Sequence, residues 1–515
     1  MGGLRWYFRR KFWNLFGWIK MSLNKPMTIP LPPRERTPIR PVPLGEAVPA
    51  LPIRQVLVCP PGDIPPDERS RAKTLVYKLQ VALYTLYPPM QPGLPPIQAD
   101  PIQALKQAFT RLHRSRYSPP VLPAEYLGSP DLGSLAVRGP YAAYTRRQAG
   151  SDGIYLWNLG GLEAHAHHAG LHTLGAQVRF RVDPARRALR AFEIECSLGT
   201  VRPDDAAWEL AKKLALCSAT THLSLVRHFN WVHLACAAQL AVATRNQLPA
   251  QHPVCRLVWP FVYGAQQSND IVTRGQMMPG GEFETIFSYS FEGICSLFDA
   301  TYGAFDMASN DPQADSQARG IDGAGFDTPS QDNLRALFEL MHDYARDALR
   351  HVYADEPRGS ATALIRNDAA VLAWLDELNT LVPNGVGVIR DNVDFDRLAR
   401  LVARTIYMAT VQHELLGSFV WNYQLWTHRQ PVRVYQNGQR EPLDVHQRLV
   451  NANYNLNVRR RALIDDFGYL ALDEAGRGAM ARFQHRLEAL QADMEREPWV
   501  VWKLYPRMLK VNINA

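Results

Sequence analysis

Cysteine is scarce and unpaired in pattern: six in 515 residues, at 59, 196, 217, 236, 255 and 295, never as CxxC and mostly among apolar neighbours. That excludes a disulfide framework or zinc knuckle and reads as reduced core thiols in a reducing, cytoplasmic compartment. A GxxxxGK[ST] loop, an RNP-like run and a basic stripe through the body are all missing, so nucleotide-phosphate cradling and nucleic acid as a partner are set aside. Acidic residues are absent from the first 25 positions, where Arg5, Arg9, Arg10, Lys11, Lys20 and Lys25 concentrate part of a net charge of +8. With 46% apolar and 21% charged residues, the remainder has ordinary globular composition, which excludes a disordered or collagen-like chain.

What is present divides into three parts: a basic amphipathic segment (1–25), a proline-rich arm (26–67) and a catalytic body (68–515). In the first, Leu4, Phe8, Phe12, Leu15 and Ile19 recur at helical spacing among basic and tryptophan residues. Residues 4–20 are too short and too charged to span a bilayer, and are expected to lie on a membrane surface or to be an extension upstream of a start at Met21. Prolines between Pro26 and Pro66 are too dense for a helix or central strand, predicting an extended arm, either wrapped on the body or disordered.

In the body, 68–86 and 102–115 read as helices, and alternation over 135–200 (QVRFRV, LRAFEIE) predicts a small antiparallel sheet. Apolar residues at three- and four-residue spacing then predict helices over 204–246, 284–300, 331–353, 366–381, 394–420 and 476–496. The Asp-, Gly- and Ser-rich 303–330 reads as a long surface loop. The fold class is mainly α with a small antiparallel β element.

Histidines carry the chemistry. His228 and His233 sit five apart in an apolar helical run. An ideal α-helix would turn their rings about 140° apart, so they share one ion only if the helix carries a π-type bulge. His222 lies about 16 Å from His233 along the axis, too far to share that ion, and reads as a packing or surface residue. His413 sits in a second apolar helix, where a lone histidine is otherwise a hydrogen-bonded core residue. Glu414 points about 100° away from it and reads as solvent-facing. The cluster His165, His167, His168 and His172 meets no fixed metal-ligand spacing, and alternation there scatters the rings.

These residues resemble the lipoxygenase family. Trp208, His228, His233, Thr244, Leu248, His252-Pro253 and Pro260 fall in the order of that family's first metal-binding helix. The segment QQSNDIVTRGQMMPGGEFE is similar to its oxygen-access and positional-control region, YMATVQHELLGSF to the helix supplying its third histidine, and LYPRMLKVNINA to its C-terminus. The resemblance implies a lipoxygenase-like helical catalytic domain over roughly 135–515 without the family's N-terminal β-sandwich, as is common in bacterial members. It implies one non-haem iron, or manganese, held by His228, His233, His413 and the terminal carboxylate of Ala515. The implied reaction takes hydrogen from a CH₂ between two double bonds of a polyunsaturated fatty acid or similar lipid and adds O₂ to give a hydroperoxide.

Departures from the family pattern are specific. Gly417 stands where the family often has a weak side-chain ligand, Ala515 replaces the usual Ile, and Pro279 stands where Ala or Gly is usual. Pro279, Gly280, Trp231 and Leu416 are expected to line the substrate pocket, with Leu234 helping to keep it dry, and Arg227, Arg245 or Arg256 to meet a carboxylate head group. Two alternatives stay open: a divergent member that isomerises a hydroperoxide or oxidises a non-lipid metabolite, and a metal-free scaffold that binds membrane and lipid.

Overall fold

The computed structural model describes residues 28–70, 128–353, 358–424, 429–436, 461–498 and 501–513, with single positions in 4–15, 71–79, 123–126 and at 426. The expected helix over 102–115 lies outside the described residues, as does most of that over 68–86.

The arm wraps the body. Its prolines leave few donors for a ladder of its own, so its remaining polar groups bind the helices beneath: Trp259 Nε1 donates to the Pro30 carbonyl (2.7 Å), Asn246 Nδ2 to the Ile39 carbonyl (2.9 Å) and Arg54 N to Asp299 Oδ1 (2.8 Å). Two short strands, β1 (Val42–Pro43) and β2 (Leu57–Val58), pair antiparallel within it. Contrary to the sequence reading, one helical turn, Leu44–Ala47, also forms there, seated on buried Leu44. The arm ends in Asp67 and Glu68, both ion-paired to buried Arg245.

The predicted sheet has five antiparallel strands in chain order: β3 (Arg146–Arg147), β4 (Ile154–Asn158), β5 (Gln177–Asp183), β6 (Ala188–Cys196) and β7 (Gly199–Val201). Alternation sends Trp157, Val178, Phe180 and Ile194 inward and leaves Arg179 and Glu193 paired on the other face.

The helical layer is built around one continuous rod. Helix α1 (Trp208–Thr221) runs without a break into a π-helical stretch, His222–Ala237, and on into α2 (Ala238–Gln247). Packed on it are α3 (Pro253–Val262), α4 (Ala265–Thr273), α5 (Phe291–Tyr302) and α7 (Ala369–Leu381), while α6 (Pro329–Val352) and α8 (Phe395–Tyr407) pack on each other and on α3. Beyond α8 two further π turns follow, Met408–Gln412 and Leu415–Phe419. Helix α9 (Glu474–Glu495) packs on α6.

Two boundaries depart from the sequence reading. The helix expected over 284–300 is split into Glu282–Ile286 and α5, with Ser290 capping α5 by accepting from Gly293 N (3.2 Å). The segment 303–330 is not simply a surface loop. Asp311, fully buried, caps a helix at Pro312–Ala318 and receives Arg400 (2.9 Å) and Arg404 (3.3 Å) from α8. A buried carboxylate is tolerable only when paired in this way, and those partners come from 90 residues downstream.

Candidate metal centre

The π-helical stretch decides the geometry of the first two histidines. An i→i+5 repeat brings residues five apart to the same side of the helix, where an α-helix would divide them. His228 and His233 accordingly face one point, with ring centroids 5.0 Å apart. His413 joins them from between the two π turns after α8, its ring 5.0 Å from each of the others. One ligand nitrogen from each of the three lies within 4.8 Å of the rest, and among the described residues no other group of three His, Cys, Asp or Glu side chains converges this closely.

The donor set fits a metal ion. His233 Nε2 and His413 Nε2 are 3.1 Å apart. Two nitrogens each about 2.1 Å from one ion and at right angles to each other would be separated by about 3.0 Å. The opposite ring nitrogens are held by acceptors: His233 Nδ1–H donates to Asn269 Oδ1 (3.1 Å), and His413 Nδ1 faces Glu414 Oε1 (3.4 Å). A proton kept at Nδ1 leaves the Nε2 lone pair pointing into the cluster, as a metal ligand requires. Asn269 is itself fixed, because its Nδ2 donates to the His233 carbonyl (2.9 Å). Three neutral imidazoles form a site suited to iron or manganese.

Asn269 is a functional residue that sequence reasoning missed, since it lies in α4, a separate helix with no spacing signal linking it to His233. Replacing Asn269 by Leu is expected to weaken metal binding 10- to 100-fold, the usual cost of removing such a partner. Chelator competition measures this, and unchanged affinity would remove Asn269 from the centre.

Glu414 corrects the sequence reading: it is buried, 3% exposed, and turned toward the His413 ring. The expectation fails because the π turns on either side of His413 change the angular step assumed for a regular α-helix. At Gly417, a Cβ would stand 2.9 Å from His228 Nε2 and 3.0 Å from its Cε1, so the ring of His228 already fills the space a side chain would use. The chain approaching its end is buried through Ile513, with Asn512 Nδ2 donating to the Pro260 carbonyl (3.2 Å). Ala515 lies outside the described residues.

An aromatic side chain packs against the His233 imidazole. Phe229 lies 5.1 Å from the His233 ring and packs on Phe283 and Phe298, while Leu234 and Leu416 are buried. Trp231 is half-buried, its Nε1 donating to the Thr301 carbonyl (2.8 Å). Pro279 and Gly280 do not join this wall. They form an exposed turn in which Gly280 has a positive φ, flanked by the buried side chains of Met277, Glu282 and Phe283.

The other histidines are tied elsewhere. His222 Nδ1 is bonded to the Tyr144 hydroxyl (2.9 Å), and burial lowers its pKa to about 3, which keeps it neutral. His165 pairs with Ser296, His168 with the Glu284 carbonyl, and His167 Nε2 accepts from Leu174 N. These separate partners explain why the histidine-rich cluster builds no common site.

The lipoxygenase family profile matches residues 194–352. The chain is 27% identical over 220 residues, 42% of its length, to the polyunsaturated fatty acid lipoxygenase ALOX15 of Bos taurus. It is 26% identical over 192 residues, 34% of its length, to the chloroplastic lipoxygenase 2 of Arabidopsis thaliana. The matched regions are 32% and 20% of those two proteins. In fold it is similar to the manganese lipoxygenase of Gaeumannomyces graminis, with a TM-score of 0.73 at 14% identity over 94% of this chain and 96% of that one. In sequence over its middle third, and in fold over nearly its whole length, the chain is therefore similar to lipoxygenases.

Proposed function

We propose that the chain is a dioxygenase that converts a polyunsaturated fatty acid, or a lipid like it, and O₂ into a hydroperoxide at a single iron held by His228, His233, His413 and the carboxylate of Ala515. Manganese is the alternative load. The observation that carries the reading is the convergence of three imidazoles on one point, two of them with Nδ1 set against an acceptor. Such an ion would supply the one-electron oxidation that lets hydrogen leave a CH₂ between two double bonds. Around it the chain's own residues have three tasks. Asn269 and Glu414 keep the Nδ1 protons in place; Phe229, Leu234 and Leu416 exclude water; and the π-helical register holds the two histidines of the rod together.

Oxygen uptake tests the reading. Metal-loaded protein should consume one O₂ per linoleate or arachidonate, with conjugated-diene absorbance rising in step. It should consume none with oleate, which has no CH₂ between two double bonds. Absence of uptake with every polyene tried would defeat the proposal.

The same reading includes peripheral membrane contact through residues 4–20. Leu4, Phe8 and Leu15 are 67%, 62% and 56% exposed on helical backbone beside exposed Arg5 and Lys11, and no described helix is long and apolar enough to cross a membrane. Deleting residues 1–20 is expected to abolish co-sedimentation with phosphatidylserine vesicles while leaving turnover of dispersed linoleate intact. Undiminished sedimentation would end the idea.

A further inference from the structure

Two of the three arginines that the sequence offers for a substrate head group are tied down inside the protein. Arg256 donates to the Ala250 and Leu470 carbonyls. Arg245, on α2, is 4% exposed and stacked on Trp259, and its ion pairs lead to the arm, at Asp67 (2.7 Å) and Glu68 (2.7 Å). The Glu68 side chain has no exposed surface. Taking a carboxylate out of water is costly unless donors replace the water, and the donors that Glu68 finds come from two different helices.

Its Oε1 accepts from Arg245 Nε (3.0 Å) and Nη2 (2.7 Å), on the rod. Its Oε2 accepts from the backbone N–H groups of Gln266 (2.9 Å) and Gln267 (3.3 Å), in the first turn of α4. N–H groups at that position have no partner within their own helix. The residue before the helix cannot supply one, because it is Gly264, at φ 84° and without a side chain to cap the turn. Glu68 does the capping from outside, and the helix dipole favours a negative charge at that end. Neighbouring bonds fasten the same turn: Gln266 Nε2 donates to the Ala238 carbonyl of the rod (2.8 Å), and Gln267 Oε1 accepts from Ser70 N (2.9 Å).

What this turn fixes is close by. Asn269 follows Gln267 by two residues, about 3 Å along the helix axis. Its amide meets His233 twice, at Nδ1 (3.1 Å) and at the carbonyl (2.9 Å), on the same rod that carries Arg245. The bond to Nδ1 has little slack, since a shift of α4 by about 0.5 Å carries it beyond hydrogen-bonding distance. The rod and α4 are thus joined by the Glu68 carboxylate and, two residues further along α4, by the contact that orients the His233 imidazole.

We propose that Glu68 is a positioning residue of the metal centre: its carboxylate clamps α4 to the rod in the register that sets Asn269 against His233. The inference rests on the metal-centre reading above and adds to it a support that reaches the centre from the N-terminal arm. Asp67 is the internal contrast, because it pairs with the same arginine while its carboxylate, among the described residues, has no bond to α4.

Two measurements test the clamp, one of them on metal-free protein. Amide hydrogen exchange over α4 should be at least about tenfold faster in Glu68→Gln than in wild type, because the new side-chain amide turns a donor toward either Arg245 or the helix N–H groups. Chelator competition should show metal held about tenfold more weakly, the lower end of the cost of removing an outer-shell partner. In an Asn269→Leu background the same substitution should change affinity by less than about twofold, since the contact it acts through is already gone. Asp67→Asn should match wild type in both measurements.

Unchanged exchange over α4 in Glu68→Gln overturns the clamp. Faster exchange at unchanged metal affinity, an equal loss of affinity with and without Asn269, or an equal effect from Asp67→Asn overturns the positioning role. If Glu68→Gln fails to fold, Glu68→Asp keeps the charge beside Arg245 but is one carbon too short to reach both helices. It should show the same pattern at reduced size, and wild-type behaviour in both measurements overturns the proposal. Should wild-type protein hold no metal while α4 still loosens in Glu68→Gln, the metal-centre reading falls and the clamp stands.

Discussion

His413→Ala protein should purify folded and with almost no metal, against about one ion per chain in the wild type, and its oxygen uptake should fall by at least about a thousandfold. The magnitude follows from the way the centre is assembled. His413 comes from a different part of the chain than His228 and His233, and without it only two imidazoles and the proposed Ala515 carboxylate remain, one donor short of the set the chain is built to supply. The change should be tolerated by the fold because neutral imidazole and alanine are both accommodated by a buried apolar environment, and only a modest cavity is created. Elemental analysis and far-UV circular dichroism on the same sample decide between the possibilities. Full metal with lost activity would shift His413 from ligand to another role. Full metal with full activity would mean that the cluster is not the centre. The same analysis on chain lacking Ala515 tests the proposed carboxylate, which should be displaced by one residue and cost metal or activity while leaving the helices unchanged.

The second large effect is expected at Gly417, where sequence and structure lead to opposite expectations. From the sequence, Gly417→Asn restores a missing donor and should strengthen the centre. From the structure, the first carbon of any side chain would stand 2.9 Å from His228 Nε2, closer than carbon and nitrogen normally approach. The imidazole would have to swing away or the π turn Leu415–Phe419 would have to move. We therefore expect Gly417→Asn, and equally Gly417→Ala, to lower metal affinity by at least about tenfold, comparable to the loss of an outer-shell partner. Equal effects for Ala and Asn identify crowding as the cause. Tighter binding in Asn alone would instead identify a ligand and show that His228 can yield.

How much of this was legible beforehand varies with the kind of signal. The rod was, because its apolar spacing extends over forty residues, and the requirement for a π bulge followed from the five-residue step between His228 and His233. The five-stranded sheet was also legible, from alternation in QVRFRV and LRAFEIE. Glu414 was misjudged, because its angular position was calculated for a regular helix and the helix there is not regular. Asp311 was hidden within a polar stretch whose composition says surface, since composition carries no information about arginines 90 residues away. Pro279 and Gly280 were expected in the pocket by their place in a motif, but the turn they form carries them to the surface.

The sequence alone thus determined the helical class, the three histidines and the chemistry that residues of this type can support, because these depend on local periodicity and on the identity of side chains. Tertiary structure alone decided what each candidate does. It placed Asn269 behind His233, turned Glu414 inward, filled the space at Gly417 and set the Glu68 carboxylate between the rod and α4. Each of these depends on which groups from distant segments meet in a medium where an unpaired charge or donor is expensive, and that information is carried by packing rather than by spacing.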